Sequence, residues 1–167
     1  AVARAHLQTS VPIMLHSYPA GQVGRHQLAI LQEEGVDLTR VKVDHSNDTI
    51  DIEYLTWLLE QGCYLGLDRY PGRNVSPQAR TNTMKALIDS GYTDRLLPSH
   101  DCPLAYIKGD NSTMPPGFME IRNPYGYVYM KKMVFPQLRE MGVPEATMDR
   151  LCVAGPRNFF EGIQDNR

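Results

Sequence analysis

Short apolar runs alternate with segments of helical spacing along the first hundred residues. Residues 11–15 (VPIML) read as a buried strand. Residues 22–34 follow with helical spacing, Val23, Gln27, Ile30 and Leu31 sharing a face, and Gly35 ends the helix as a C-cap. The cycle repeats with a strand at 41–44 (VKVD) and a helix at 48–61 that carries Ile52, Leu55, Leu58 and Leu59 and stops at Gly62. It repeats again with a strand at 64–67 and a helix at 77–90, with Pro77 in the first turn and Gly91 at the end. A fourth strand spans 96–99. A stretch rich in Pro, Gly and Asn runs from 102 to about 125, and helical pattern resumes over 128–141 and 144–151. Strand–helix alternation predicts an α/β fold with a parallel sheet, and strands that are apolar throughout are those of a sheet covered on both faces. No second-domain boundary or low-complexity stretch interrupts residues 1–167.

Polar residues gather at the C-terminal end of each strand: His16; Asp44, His45 and Ser46; Asp68, Arg69 and Tyr70; Ser99, His100 and Asp101. The ends at His16, His45, Asp68 and Asp101 are 29, 23 and 33 residues apart, against about 31 per unit in an eight-unit barrel of about 250 residues. In a parallel barrel these ends converge on one rim, where active sites lie. Two imidazoles and a carboxylate there form a ligand set suited to Zn2+ and similar ions, and the carboxylate can also accept a proton from metal-activated water. Taken singly, each residue has a plainer reading: a strand-end His is often structural, and a strand-end Asp is often a helix N-cap. His6 and His26 fall in helical segments and are expected on the surface. His100 is expected on the opposite side of its strand from Asp101, as a hydrogen-bonding neighbour of the site.

Composition narrows the picture without choosing an activity. The chain is 42% apolar and 22% charged with net charge -2, which gives no reason to expect nucleic acid or an anionic membrane as partner. No apolar run reaches the roughly 20 residues of a membrane span. Three widely spaced cysteines, Cys63, Cys102 and Cys152, argue against a disulfide framework or a Cys-type zinc site and for reduced thiols in a cytoplasmic protein. The sequence opens without Met inside a helix-like stretch, 1–9, as expected of a fragment or a processed chain.

The order and spacing of VPIMLHS, EEGVDLTRVKVDHSNDTIDIEYL, GCYLGLDRY, ALIDSGYTDRLLPSHD, FPQLREMGVPEATMDRL and GPRNFF resemble the phosphotriesterase and phosphotriesterase-like lactonase family of the amidohydrolase superfamily. The resemblance implies a (β/α)8 barrel of TIM type in which this chain supplies strands five to eight, the C-terminal half. It implies two divalent metal ions in the complete protein, Zn or else Co, Mn or Fe. His16 and His45 would hold one ion. Asp101 would hold the other and act catalytically on the proton of a bridging hydroxide. The family's remaining ligands, a His pair after strand one and a carboxylated lysine on strand four, would lie upstream of Ala1, so a missing N-terminal half is an expected partner. Arg69 stands where the triesterases carry a relay His, as in the lactonase relatives. Arg69, Tyr70 and Tyr106 are the expected substrate contacts, with the loop from 102 to about 125 as cover. A structural ion pair from Arg69 to Asp68 or a neighbour remains open.

The function implied is hydrolysis of an ester-like bond, most naturally a lactone, with side activity on phosphotriesters, by a homodimer acting on small molecules. The alternatives are a non-catalytic half-barrel acting as an assembly module, and another amidohydrolase such as a deaminase.

Overall fold

A computed structural model describes residues 1–72, 74–101 and 123–162. Four strands, β1 (Ile13–Leu15), β2 (Val41–Val43), β3 (Tyr64–Leu67) and β4 (Leu96–Pro98), form one sheet in the order β1-β2-β3-β4, all parallel. Helix α1 (Val2–Thr9) precedes the sheet. The crossovers are α2 (Val23–Glu33), α3 (Ile52–Glu60) and α4 (Pro77–Asp89). Side chains alternate across a strand, and the register places Ile13 beside Val41, Val43 beside Leu65, and Leu65 beside Leu96. These residues are buried in one core with Leu28, Leu31, Leu55, Leu58, Met84 and Leu87 of the crossover helices. The other face carries Met14, Lys42, Gly66 and Leu97, aligned as Met14–Lys42 and Gly66–Leu97. The strand expected at 11–15 begins only at Ile13, because Pro12 has no N–H to give the ladder.

Helix starts follow their capping chemistry. The Asp51 side chain accepts from the Tyr54 N–H at 3.0 Å, so α3 starts at Ile52, later than the apolar pattern from residue 48 predicts. Residues Ser46–Asp48 form a tight 3-10 turn instead. Ser76 caps α4 ahead of Pro77. After residue 123 the chain is helical, with π-helical turns at Met130–Val134 and Arg150–Ala154 leading into α5 (Phe135–Glu140) and α7 (Gly155–Glu161), and α6 (Glu145–Asp149) before the second turn. The apolar spacing predicts no helix over α7. Arg40 donates to the carbonyls of Phe159 and Ser10, tying α7 to the entry of β1. His6, expected on the surface, is buried, with Nδ1 2.7 Å from the Val11 carbonyl oxygen; it anchors the α1–β1 turn. His26 is exposed. Among the described residues, no helix is long and apolar enough to cross a membrane, and Cys63 and Cys152 are free thiols. Burial pushes the Cys63 thiol up to about 12.

Candidate metal centre

The residues that follow β1 and β2 meet at the C-terminal end of the sheet. His45 takes a left-handed backbone conformation, φ 61°, which turns its N–H toward β3. That N–H donates to Asp68 Oδ1 at 2.9 Å, and the ring Nδ1 lies 3.0 Å from the same oxygen. With Nδ1–H donating to a carboxylate, the neutral ring presents its lone pair at Nε2. Nε2 lies 2.9 Å from His16 Nδ1, with the two rings edge to face at 79°. His45 is 7% exposed and His16 is open to solvent. The His16 carbonyl is held by Gln27 Nε2 of α2 at 2.9 Å.

The donor set fits a divalent metal of the zinc class. Two imidazole nitrogens converge, and one ring has its tautomer set by a carboxylate on the far nitrogen, the usual outer-sphere arrangement of a metal-binding His. Asp68 is largely buried, and burial raises its carboxyl well above the usual carboxylate range, with the neighbouring Asp44 adding to the rise and His45 opposing it. Gly66 makes this crowding possible. A Cβ at residue 66 would lie 2.5 Å from Asp44 Oδ1 and 2.9 Å from Asp68 Oδ2.

Asp101 stands at the end of β4 in a left-handed conformation, φ 44°, with its side chain 52% exposed. It joins a different cluster from the two histidines. Arg69 Nε donates to Asp101 Oδ2 at 3.3 Å, and its Nη1 donates to Asp48 Oδ2 at 2.8 Å. The Arg69 N–H is held by Asn47 Oδ1 at 3.1 Å. Asp48 is gripped from beneath by Arg80 Nη2 at 2.6 Å, and Arg80, on the buried face of α4, also donates to the carbonyls of Asn47 and Val75. The alternative left open for Arg69 is therefore met in part: it is ion-paired, to Asp48 and Asp101 rather than to Asp68. Among the described residues, no three His, Cys, Asp or Glu side chains gather closely enough to hold one metal.

Tyr70 is a correction to the expected substrate contacts. It is 1% exposed, its hydroxyl lies 3.5 Å from Thr81 Oγ1 and its ring stacks on Tyr129, so it fills the core under the rim. Tyr106 and Cys102 lie outside the described residues. His100 stacks on Tyr127, and burial lowers its basicity. Asp48 and Arg80 are not singled out by the sequence reading, and Asp68 enters it only as a strand-end residue and as an ion-pair alternative for Arg69, with no role toward His45. Two signals marked them: a glycine inside the apolar strand YLGL, and an arginine in phase with the apolar positions Met84 and Leu87.

Comparison with known proteins decides the family. The phosphotriesterase family model matches residues 1–160. The chain belongs to the phosphotriesterase family. It is 34% identical over 163 residues to the phosphotriesterase homology protein of Mycobacterium tuberculosis, covering 96% of this chain and 48% of that protein. It is 32% identical over 164 residues to an aryldialkylphosphatase of Saccharolobus solfataricus, covering 96% and 51%. An N-acetyltaurine hydrolase of Bos taurus is 26% identical, covering 96% and 46%. The solved structure of the phosphotriesterase from Mycobacterium tuberculosis superposes with a TM-score of 0.88 at 32% identity, over 96% of this chain and 48% of that one. The chain thus spans about half the length of the curated relatives it matches.

Proposed function

We propose that the protein carrying this chain is a metal-dependent hydrolase of ester-like bonds, acting on lactones in preference to phosphotriesters. The observation that carries the reading is the line Asp68–His45–His16, a carboxylate-oriented imidazole facing a second imidazole across 2.9 Å. His16 and His45 would hold one divalent ion, and Asp101 would serve a second ion and take up the proton released from water. Such ions supply a water acidified toward a pKa of about 7 and polarise the oxygen that gains charge. The remaining ligands of a binuclear site belong, on this reading, to an N-terminal half of the barrel, for which this chain supplies strands five to eight.

The lactone preference rests on Arg69. Its guanidinium sits between Asp48 and Asp101, and a guanidinium stays protonated near neutral pH, so it orients the carboxylate and holds charge but relays no proton. By resemblance, the lactonase relatives carry an arginine at this position and the triesterases a relay histidine, and that correspondence favours lactones. The test is a side-by-side assay of the metal-loaded full-length protein on a lactone series, on an aryl dialkyl phosphate and on an N-acyl amide. Faster turnover of lactones supports the reading. A clear preference for the phosphate or the amide rejects the lactone assignment, and no hydrolysis by metal-loaded protein favours a non-catalytic module.

A further inference from the structure

Lys42 is a cation on the inward face of the sheet that the proposed chemistry does not use. It sits in the middle of β2 with valines on either side, and its side chain is only 16% exposed. Its Nζ lies 2.8 Å from Asp44 Oδ1, an ion pair whose angles fall short of a directed hydrogen bond. Asp44 projects from the same side of β2, two residues on, as strand alternation requires.

Asp44 is also the neighbour of Asp68. Both carboxylates occupy the space above Gly66 that a side chain would fill, with a Cβ there meeting Asp44 Oδ1 at 2.5 Å and Asp68 Oδ2 at 2.9 Å. Both are mostly withdrawn from solvent, at 17% and 13% side-chain exposure. Two carboxylates so placed repel each other, and withdrawal from water strengthens the repulsion. Asp68 nevertheless keeps Oδ1 on both the N–H and the Nδ1 of His45. Arg69 cannot supply the balancing charge, since its guanidinium is directed to Asp48 and Asp101. Among the described residues, the cation seen on this carboxylate pair is Lys42.

We propose that Lys42 is a positioning residue for the metal-binding imidazole: through Asp44 it offsets the charge of the carboxylate pair over Gly66 and keeps Asp68 aimed at His45 Nδ1. The chain of action runs Lys42, Asp44, Asp68, His45, and it rests on the reading of His16 and His45 as metal ligands. No bond is made or broken in it. The role is to keep the Nε2 lone pair of His45 available on the His16 side.

The test compares K42M, K42R, D44N and the double variant K42M/D44N in the full-length protein. Two readouts are taken: the His45 tautomer in metal-free protein by 15N-detected imidazole NMR, and Co2+ affinity by absorption titration. Outer-sphere partners of a metal-binding His typically control affinity by about 10- to 100-fold, so K42M is expected to weaken Co2+ binding at least about tenfold and to mix the His45 tautomers. If charge balance is what matters, K42R and K42M/D44N stay within about threefold of wild type, the coupling expected of groups in one network. A K42M protein with an unchanged tautomer and unchanged Co2+ affinity overturns the proposal, and so does a double variant as impaired as K42M. Should K42M not fold, a folded K42M/D44N of wild-type affinity supports it, and failure of the double variant as well overturns it. Loss of the hydrolase reading leaves the tautomer readout intact: a protein that binds Co2+ but cleaves none of the substrates tests Lys42 all the same.

Discussion

The rim of the sheet has two corners, built by opposite means. At the ends of β1 and β2 the imidazole of His45 is 7% exposed, and its Nδ1 is anchored on a carboxylate that is itself largely buried. At the ends of β3 and β4 the contacts are ion pairs, Arg69 with Asp48 and Asp101, on side chains that are 36% and 52% exposed at Arg69 and Asp101. The first corner derives its order from burial and from a glycine that makes room. The second derives it from one deeply placed residue, Arg80, whose guanidinium is fully withdrawn from solvent and holds Asp48 from below. On the proposed reading, fixed geometry suits the ion assigned to His16 and His45, and the more adaptable corner suits Asp101, the proton it takes up and the entering substrate. The two corners therefore respond differently to substitution.

The largest effect is expected at the root of the second corner. Arg80→Met strands Asp48 and removes donors from the carbonyls of Asn47 and Val75, and breaking a buried charge pair from one side costs about 3–5 kcal/mol. Chemical denaturation should show a loss of that order. A change below about 1 kcal/mol, the value of an exposed pair, would remove the distinction between root and rim.

Next comes the glycine under the first corner. Gly66→Ala places a methyl group 2.5 Å from Asp44 Oδ1 and 3.0 Å from the Asp44 Cα, which is backbone and yields little. Overpacking of this kind costs about 1–3 kcal/mol. The His45 tautomer should be disturbed along with stability, because the same methyl group meets Asp68 Oδ2 at 2.9 Å and Asp68 is the carboxylate that sets it. An alanine variant as stable as wild type, with its tautomer intact, would show that the carboxylates have room to spare.

Asp68→Asn tests the same corner through its ligand. The amide keeps an acceptor for the His45 N–H and loses the charge. Divalent-metal affinity should fall by about 10- to 100-fold, the usual range for an outer-sphere carboxylate. The corresponding Asp48→Asn, on the other corner, should change metal affinity by less than about threefold if the two corners are independent, since separated sites add with little coupling. Equal losses from the two would merge the corners into one site.

These expectations rest on features the sequence shows unevenly. The four strands, their parallel arrangement and the three crossover helices were legible because short apolar runs alternate with longer segments of helical spacing, each closed by a glycine. His16, His45 and Asp101 stood out because each closes an apolar run. What the sequence does not display is partner choice. Nothing in LDRY says that Asp68 turns to His45 while Arg69 turns to Asp48 and Asp101. Those directions follow from register between strands, which brings together residues 21 to 32 apart in the chain. Tyr70 was misjudged for the same reason: an aromatic at a strand end serves rim or core equally well, and its packing against Thr81 and Tyr129 is visible only in three dimensions. His6 was misjudged because its Val11 carbonyl partner lies beyond the end of the helix.

The smallest expected effect is also the sharpest test of the contrast. Arg69 and Asp101 meet at 3.3 Å with Asp101 more than half exposed, so water and salt screen their attraction. Arg69 has a second, shorter partner in Asp48 and does not need Asp101 to stay in place. A double-mutant cycle of Arg69→Met and Asp101→Asn should therefore give a coupling free energy for folding of about 0.2–1 kcal/mol, shrinking as salt is raised. Turnover should respond much more than stability does, since Asp101 is the proposed proton acceptor and Arg69 its orienting partner. A folding coupling above about 2 kcal/mol that ignores salt would mean the pair is buried when the protein is whole. The second corner would then be as rigid as the first, and the proposed division between a fixed ligand end and an adaptable substrate end would fail.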